Sequence, residues 1–234
     1  MKPSLLCRVA AEFIGALFLL AAVVGSGIMG ERLAGGNVAI ALLANSIATG
    51  AALVAILLAL GPISGAHLNP AVTLADAWQG GIRWRDAPAY IVAQLGGAFA
   101  GVGVAHMMFG LTLFSASVHA RSGAAQLFSE FVATFGLLAV IWGCVRSRSS
   151  ATPFAVGAYI TGAYWFTAST SFANPAVTIA RSMTNTFAGI RPGDVAAFVV
   201  VEFAGAFAAT LVFGWLMPPV ADYEPAASME SAGF

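Results

Sequence analysis

Charge is what this sequence has least of. Asp, Glu, Lys and Arg make up 9% of its 234 residues, against roughly 25% in an ordinary soluble domain. Too few charged side chains remain to solvate a surface, which argues against a water-soluble enzyme and against a disordered chain. Ten basic residues balance ten acidic ones, so there is no net field to draw nucleic acid. The two cysteines, Cys7 and Cys144, are too few for a disulfide framework or a thiolate metal cluster and read as packing residues. No nucleophile–base set, phosphate loop or metal-ligand cluster appears, so neither catalysis, a cofactor nor a metal is expected. What the chain does have is apolar length: 59% hydrophobic residues and a mean hydropathy of +0.88. It reads as an integral protein of a lipid bilayer.

The charge-free stretches mark the spans. A crossing helix needs about 20 apolar residues, and two stretches, Leu33–Ala75 and Ser149–Ala180, are too long for one helix and too short for two with a loop. Each breaks at small residues, Gly61–Gly65 and Thr167–Ser171. Six spans are therefore expected near 7–29, 37–60, 87–109, 127–145, 153–169 and 194–216, with short pieces near 69–79 and 174–184. The first span lacks a small-residue cleavage site and reads as a retained helix. Six basic residues (Lys2, Arg8, Arg83, Arg85, Arg146 and Arg148) fall on the side of the N-terminus. Four (Arg32, Arg121, Arg181 and Arg191) fall on the other. That bias predicts cytoplasmic termini, and the chain is expected in the inner (plasma) membrane of the cell.

The chain also matches itself. Glu12-Phe-Ile-Gly resembles Glu130-Phe-Val-Ala, 118 residues later; Asn69-Pro-Ala-Val-Thr recurs at Asn174, 105 residues later; Gln94-Leu-Gly-Gly-Ala-Phe-Ala parallels Glu202-Phe-Ala-Gly-Ala-Phe-Ala, 108 residues later. Each half holds three spans, an odd number, so the second half enters the membrane upside down, as in inverted repeats that enclose a midplane site. The expected division is a first repeat at 1–110, a connecting loop at 111–126, a second repeat at 127–217 and a mobile acidic tail at 218–234. Asn is a strong N-cap and Pro suits the first helical turn, so each Asn-Pro-Ala starts a half-helix. Inversion brings the two positive helix ends face to face at the centre, and the irregular backbone before them is tolerated only against protein or a water-filled cavity.

Ser64-Gly-Ala-His-Leu-Asn-Pro-Ala-Val-Thr, with a second Asn174-Pro-Ala in the opposite half, resembles the aquaporin and aquaglyceroporin family (major intrinsic proteins), from Glu12 to about Met217. The resemblance implies an all-α membrane protein of six transmembrane helices plus two re-entrant half-helices in an inverted repeat. It implies a pore in each protomer, usually within a homotetramer. On this reading Asn69, Pro70, Ala71, Asn174, Pro175 and Ala176 form the pore centre, the Asn amides donating to a passing molecule while their oxygens cap the half-helices.

The sequence departs from the family at one telling place. Members commonly carry Arg directly after the second Asn-Pro-Ala; here it is Val177, and the next arginine, Arg181, is one turn further on, able to lean back to the pore but read by preference as a half-helix anchor or surface contact. Family spacing puts Thr49 and Ser171 at two other filter positions and leaves Gly162 or Tyr164 for the fourth. A filter of Thr49, Ser171 and Val177 is uncharged and wide unless the ring of Tyr164 narrows it. It is expected to pass small neutral solutes: water, glycerol, urea, and the hydroxyl-rich acids of arsenic and antimony, methylated arsenicals among them. A bacterial subgroup with Val at this place is associated with arsenic detoxification. The alternatives are a water-selective channel and, from another class, a proton-coupled transporter using Glu12 and Glu130. The favoured reading of those carboxylates is structural, each accepting N–H groups from the break in its own half. His67 is placed near the inner vestibule, where a structural hydrogen bond in the loop is favoured over a pH gate, and His106 and His119 at the outer surface.

Overall fold

The computed structural model of the chain describes residues 3–147 and 149–217, so the expected tail at 218–234 lies outside the described residues. These residues form eight helices: α1 Leu5–Leu33, α2 Val38–Ser64, α3 Pro70–Trp78, α4 Ala87–Met108, α5 Ala124–Arg146, α6 Thr152–Phe166, α7 Pro175–Arg181 and α8 Pro192–Leu216. Five of them, α1, α2, α4, α5 and α8, are long and apolar enough to cross a membrane.

The helix ends correct several expected boundaries. α1 runs through Glu31 and Arg32 to Leu33, past the expected end near 29. α2 continues through Pro62 to Ser64, because a proline late in a helix forfeits one backbone bond without forbidding the last turn. Gly65 then stops it in the left-handed conformation at φ 89°, its N–H still bonded to Gly61 O. α5 starts at Ala124, inside the expected 111–126 loop. α6 is shorter than the expected fifth span at 153–169, with 15 residues. Thr167 turns extended after it, and its hydroxyl donates to Ala163 O to close the final turn. α7 ends at Arg181 rather than near 184.

Packing repeats between the halves. α1 lies on α2 and α4, and α5 lies on α6 and α8; the halves meet where α2 crosses α6 and α3 meets α7, with α3 also touching α8 and α7 touching α4. The closest crossings require glycine, as small-residue interfaces in membranes do. A Cβ on Gly97 would run into Phe13 O of α1, and one on Gly205 into Phe131 O of α5, the same contact in each half. Gly50 and Gly157 let α2 and α6 approach backbone to backbone. The buried side chains of these crossings merge into one core around α3 and α7, while Leu6, Val38, Val200 and Trp215 remain exposed outside, as lipid-facing residues should.

Candidate functional site

The two half-helices begin against each other at the centre of the core. Asn69 caps α3, its Oδ1 accepting from Ala71 N at 2.9 Å, and Asn174 caps α7, its Oδ1 accepting from Ala176 N at 3.0 Å and Val177 N at 3.3 Å. Pro70 and Pro175 occupy the first helical turns, where the missing N–H costs nothing. The amide nitrogens then cross over: Asn69 Nδ2 donates to Ala173 O and Asn174 Nδ2 to Leu68 O, both at 2.8 Å. Each amide nitrogen carries two N–H groups, so each Asn keeps one more donor beside this bond.

The breaks before the caps follow one irregular path twice. Ala66 and Leu68 in the first, and Ser171 and Ala173 in the second, take left-handed φ values of 47°, 52°, 53° and 48°. Non-glycine residues pay about 1–2 kcal/mol for that conformation. Buried carboxylates hold these segments. Glu12 accepts from Ser64 Oγ (2.7 Å), His67 N (2.9 Å), Leu68 N (2.7 Å) and Gln94 Nε2 (2.8 Å). Glu130 accepts from Phe172 N at 2.9 Å and Ala173 N at 2.8 Å. Glu202 accepts from Asn174 N at 3.2 Å and Thr178 Oγ1 at 2.5 Å, which mirrors Gln94 donating to Thr73 Oγ1 at 2.8 Å.

A cavity of about 560 Å³ runs past this junction, lined at its middle by Asn69 and Asn174. At the end nearest the start of α1 it meets Arg8, His67 and Asp76. His67 there is half-buried, with Nε2 3.5 Å from Asp76 Oδ2 and Nδ1 3.2 Å from Thr73 Oγ1. At the far end it is walled by Thr49, Tyr164, Ser171, Val177 and Arg181. Tyr164, not Gly162, is the α6 residue on this wall: its hydroxyl lies 3.2 Å from Thr49 Oγ1, whereas Gly162 is exposed with no neighbour near its Cβ position.

Three residues are engaged more closely with the interior than the sequence implied. Arg181 is neither a surface contact nor a plain anchor. It is buried on the cavity wall, with Nε donating to Ala188 O and its guanidinium over the ring of Phe172. His106 is buried at the end of α4, bonded to Thr112 O and Thr184 Oγ1 at 2.7 Å each, while His119 is exposed. Arg121, a connecting-loop residue, folds inward. Its Nε and Nη1 donate to Gly189 O (2.8 Å) and Ser169 O (3.0 Å), and its guanidinium lies 4.9 Å from the centroid of the Phe172 ring. Burial lowers the Arg121 pKa from its ordinary value, opposed by Glu130 and then Tyr164. The signal for Arg121 was its position in an otherwise uncharged loop.

The family described as major intrinsic protein matches residues 1–167. The chain is 54% identical over 212 residues to aquaglyceroporin AqpS of Rhizobium meliloti (strain 1021), covering 91% of each sequence. It is 34% identical over 214 residues to aquaporin NIP1-4 of Oryza sativa subsp. japonica, covering 89% of this chain and 76% of the relative. In fold it resembles the X-ray structure of the aquaglyceroporin from Plasmodium falciparum, with a TM-score of 0.72 over 92% of this chain and 98% of that one, at 20% identity.

Proposed function

This chain belongs to the major intrinsic protein family and is a passive, multi-pass membrane channel for small uncharged solutes, not an enzyme; from that premise we propose that its conduction path is the cavity between the half-helices and that its filter is wide enough for hydroxyl-rich solutes as well as water. The remaining N–H groups of Asn69 and Asn174 donate to the oxygen of a molecule passing between them. A water accepting from both directs its own hydrogens away along the path, which interrupts a proton wire. Thr49, Tyr164, Ser171 and Val177 form the filter. Tyr164 narrows it from one side, while Val177 fills only part of the space that a long side chain would occupy.

The observation that carries this reading is the wall around Val177, which combines hydroxyl groups with a short apolar side chain. The name aquaglyceroporin borne by a relative at 54% identity supports solute passage over water alone. Glycerol, urea, arsenite and methylated arsenicals are the proposed solutes. The carboxylates Glu12 and Glu130 hold backbone, as their bonds to residues 67, 68, 172 and 173 support. The two halves, 1–110 and 127–217, act as inverted repeats in each protomer of a homotetramer, with both termini on the cytoplasmic side of the inner membrane.

Stopped-flow swelling of proteoliposomes tests the filter. Wild type is expected to pass water, glycerol, urea and arsenite, and Val177→Arg to slow the three solutes by about tenfold or more relative to water, because a long side chain would fill the passage. Solute flux untouched by Val177→Arg would refute the filter assignment, and wild type passing water alone would refute the wide path.

A further inference from the structure

Val177 leaves its own position on the wall uncharged, yet a guanidinium reaches that wall from another residue. Arg181 lies four residues on, one turn or about 6 Å along the helix axis. Helical side chains lean toward the N-terminus, so a residue at 181 covers the turn in which Val177 sits. The geometry agrees. Arg181 is 1% exposed, lines the same cavity as Val177, and places Cζ 3.4 Å from the centroid of Phe172. Its Nε is used on Ala188 O, but Nη1 is buried with no hydrogen-bond partner among the described residues. Ser171 Oγ, on the same wall, is likewise buried and unpartnered.

No carboxylate pairs directly with this end, although Glu130 and Glu202 lie near enough to attract it. None of the ion pairs among the described residues includes Arg181. Glu130 is engaged with the N–H groups of residues 172 and 173, and one oxygen of Glu202 with residues 174 and 178. Arg121 adds a second guanidinium near Phe172. A buried guanidinium N–H and a buried hydroxyl left without partners are unfavourable until something meets them. From the cavity, that something must present an acceptor oxygen.

We propose that Arg181 is the specificity-determining cation of the channel's outer end. Its free Nη1 and Ser171 Oγ take an acceptor oxygen of the passing solute, and its charge turns cations back, while Val177 preserves width. The filter is thus cationic without carrying its charge at the position after the second Asn-Pro-Ala. It favours oxygen-rich solutes, neutral or anionic, over cations of equal size. The inference rests on the reading of this cavity as the conduction path.

Guanidinium, urea and nitrate test it, being planar, trigonal and similar in size but positive, neutral and negative. Their fluxes would be measured in proteoliposomes with the membrane potential clamped by potassium and valinomycin, for wild type, Arg181→Met, Arg181→Lys and Ser171→Ala. Wild type is expected to pass urea, and nitrate well ahead of guanidinium. Arg181→Met should raise the guanidinium-to-urea ratio by about tenfold or more and lower the nitrate-to-urea ratio, while Arg181→Lys keeps guanidinium out. Ratios in Arg181→Met equal to wild type would overturn the proposal. Arg181→Met also loses the bond to Ala188, and if it fails to fold the decision falls to the milder pair. Arg181→Lys and Ser171→Ala should each slow urea relative to water severalfold, and wild-type urea-to-water ratios in both would overturn it. Wild type passing guanidinium as fast as urea overturns it without any variant. Wild type passing no urea at all overturns the solute-channel reading as well, which separates the two failures.

Discussion

Glu12 carries a carboxylate where the surroundings are least able to solvate one, and it is retained because four donors converge on it. Two of those donors are backbone N–H groups of a segment held in left-handed conformations, so the carboxylate stabilises the very backbone that needs it. Removing it leaves buried donors unmet, at about 1–3 kcal/mol each. Glu12→Ala is therefore expected to lower the stability of the detergent-solubilised protein by about 3 kcal/mol or more, read as a lower thermal midpoint. Glu12→Gln, which puts an N–H where an acceptor is required, should recover less than half of that loss. A midpoint unchanged in Glu12→Ala would remove the carboxylate from the scaffold. At this scale the caps were legible, since Asn followed by Pro has few other uses and occurs twice in register. The orientation of Arg181 was not. Position 181 reads as one turn away from the path, and only the backward lean of a helical side chain returns its guanidinium there. The choice between Gly162 and Tyr164 was likewise open because it depends on where α6 stops, and that is decided by Thr167 closing the last turn onto Ala163.

Among the elements, helix existence follows from the charge-free stretches, whereas helix ends follow from local chemistry that hydropathy does not register. α1 overran its apolar stretch by carrying Glu31 and Arg32 to the membrane edge, where Arg32 bonds Phe109 O at 3.2 Å. α2 overran Pro62 to end at Gly65. The crossings depend on side-chain size at single points. Gly97 meets α1 and Gly205 meets α5 at backbone distance, so Gly97→Leu should force α1 and α4 apart and cost about 1–3 kcal/mol. Gly162, in open space on the outside of α6, should accept alanine with no loss of stability, and with a gain of up to about 1 kcal/mol where helix propensity prevails. Parallel thermal melts of the two variants check the contrast. Equal melting of both with wild type would mean that the α1–α4 crossing is not size-limited.

For the whole molecule, the duplicated pattern fixes Glu12, Glu130 and one oxygen of Glu202 on N–H and hydroxyl groups of the breaks, while the other oxygen of Glu202 lies beside Glu130. Carboxylates held in this way to fixed backbone are poorly placed to shuttle protons in step with a solute. Solute flux in proteoliposomes is expected to rise linearly with concentration, to have a low activation energy, and to be indifferent to an imposed pH gradient. Accumulation of solute against its own gradient when a pH difference is applied would favour the transporter reading instead. The symmetry was legible from the repeated segments, but the connection between the halves was not. The segment between α4 and α5 folds back to bond the turn after α7, with Ser115 N on Met183 O at 3.0 Å and Ser117 N on Ser182 O at 2.9 Å. The reciprocal bonds of Asn69 to Ala173 and Asn174 to Leu68 join residues that leave the ribosome far apart in time. The first half must wait in the bilayer, its break unfinished, until the second is inserted. Folding of the centre is therefore the last act of synthesis, and a chain truncated before Ala173 has no way to complete it.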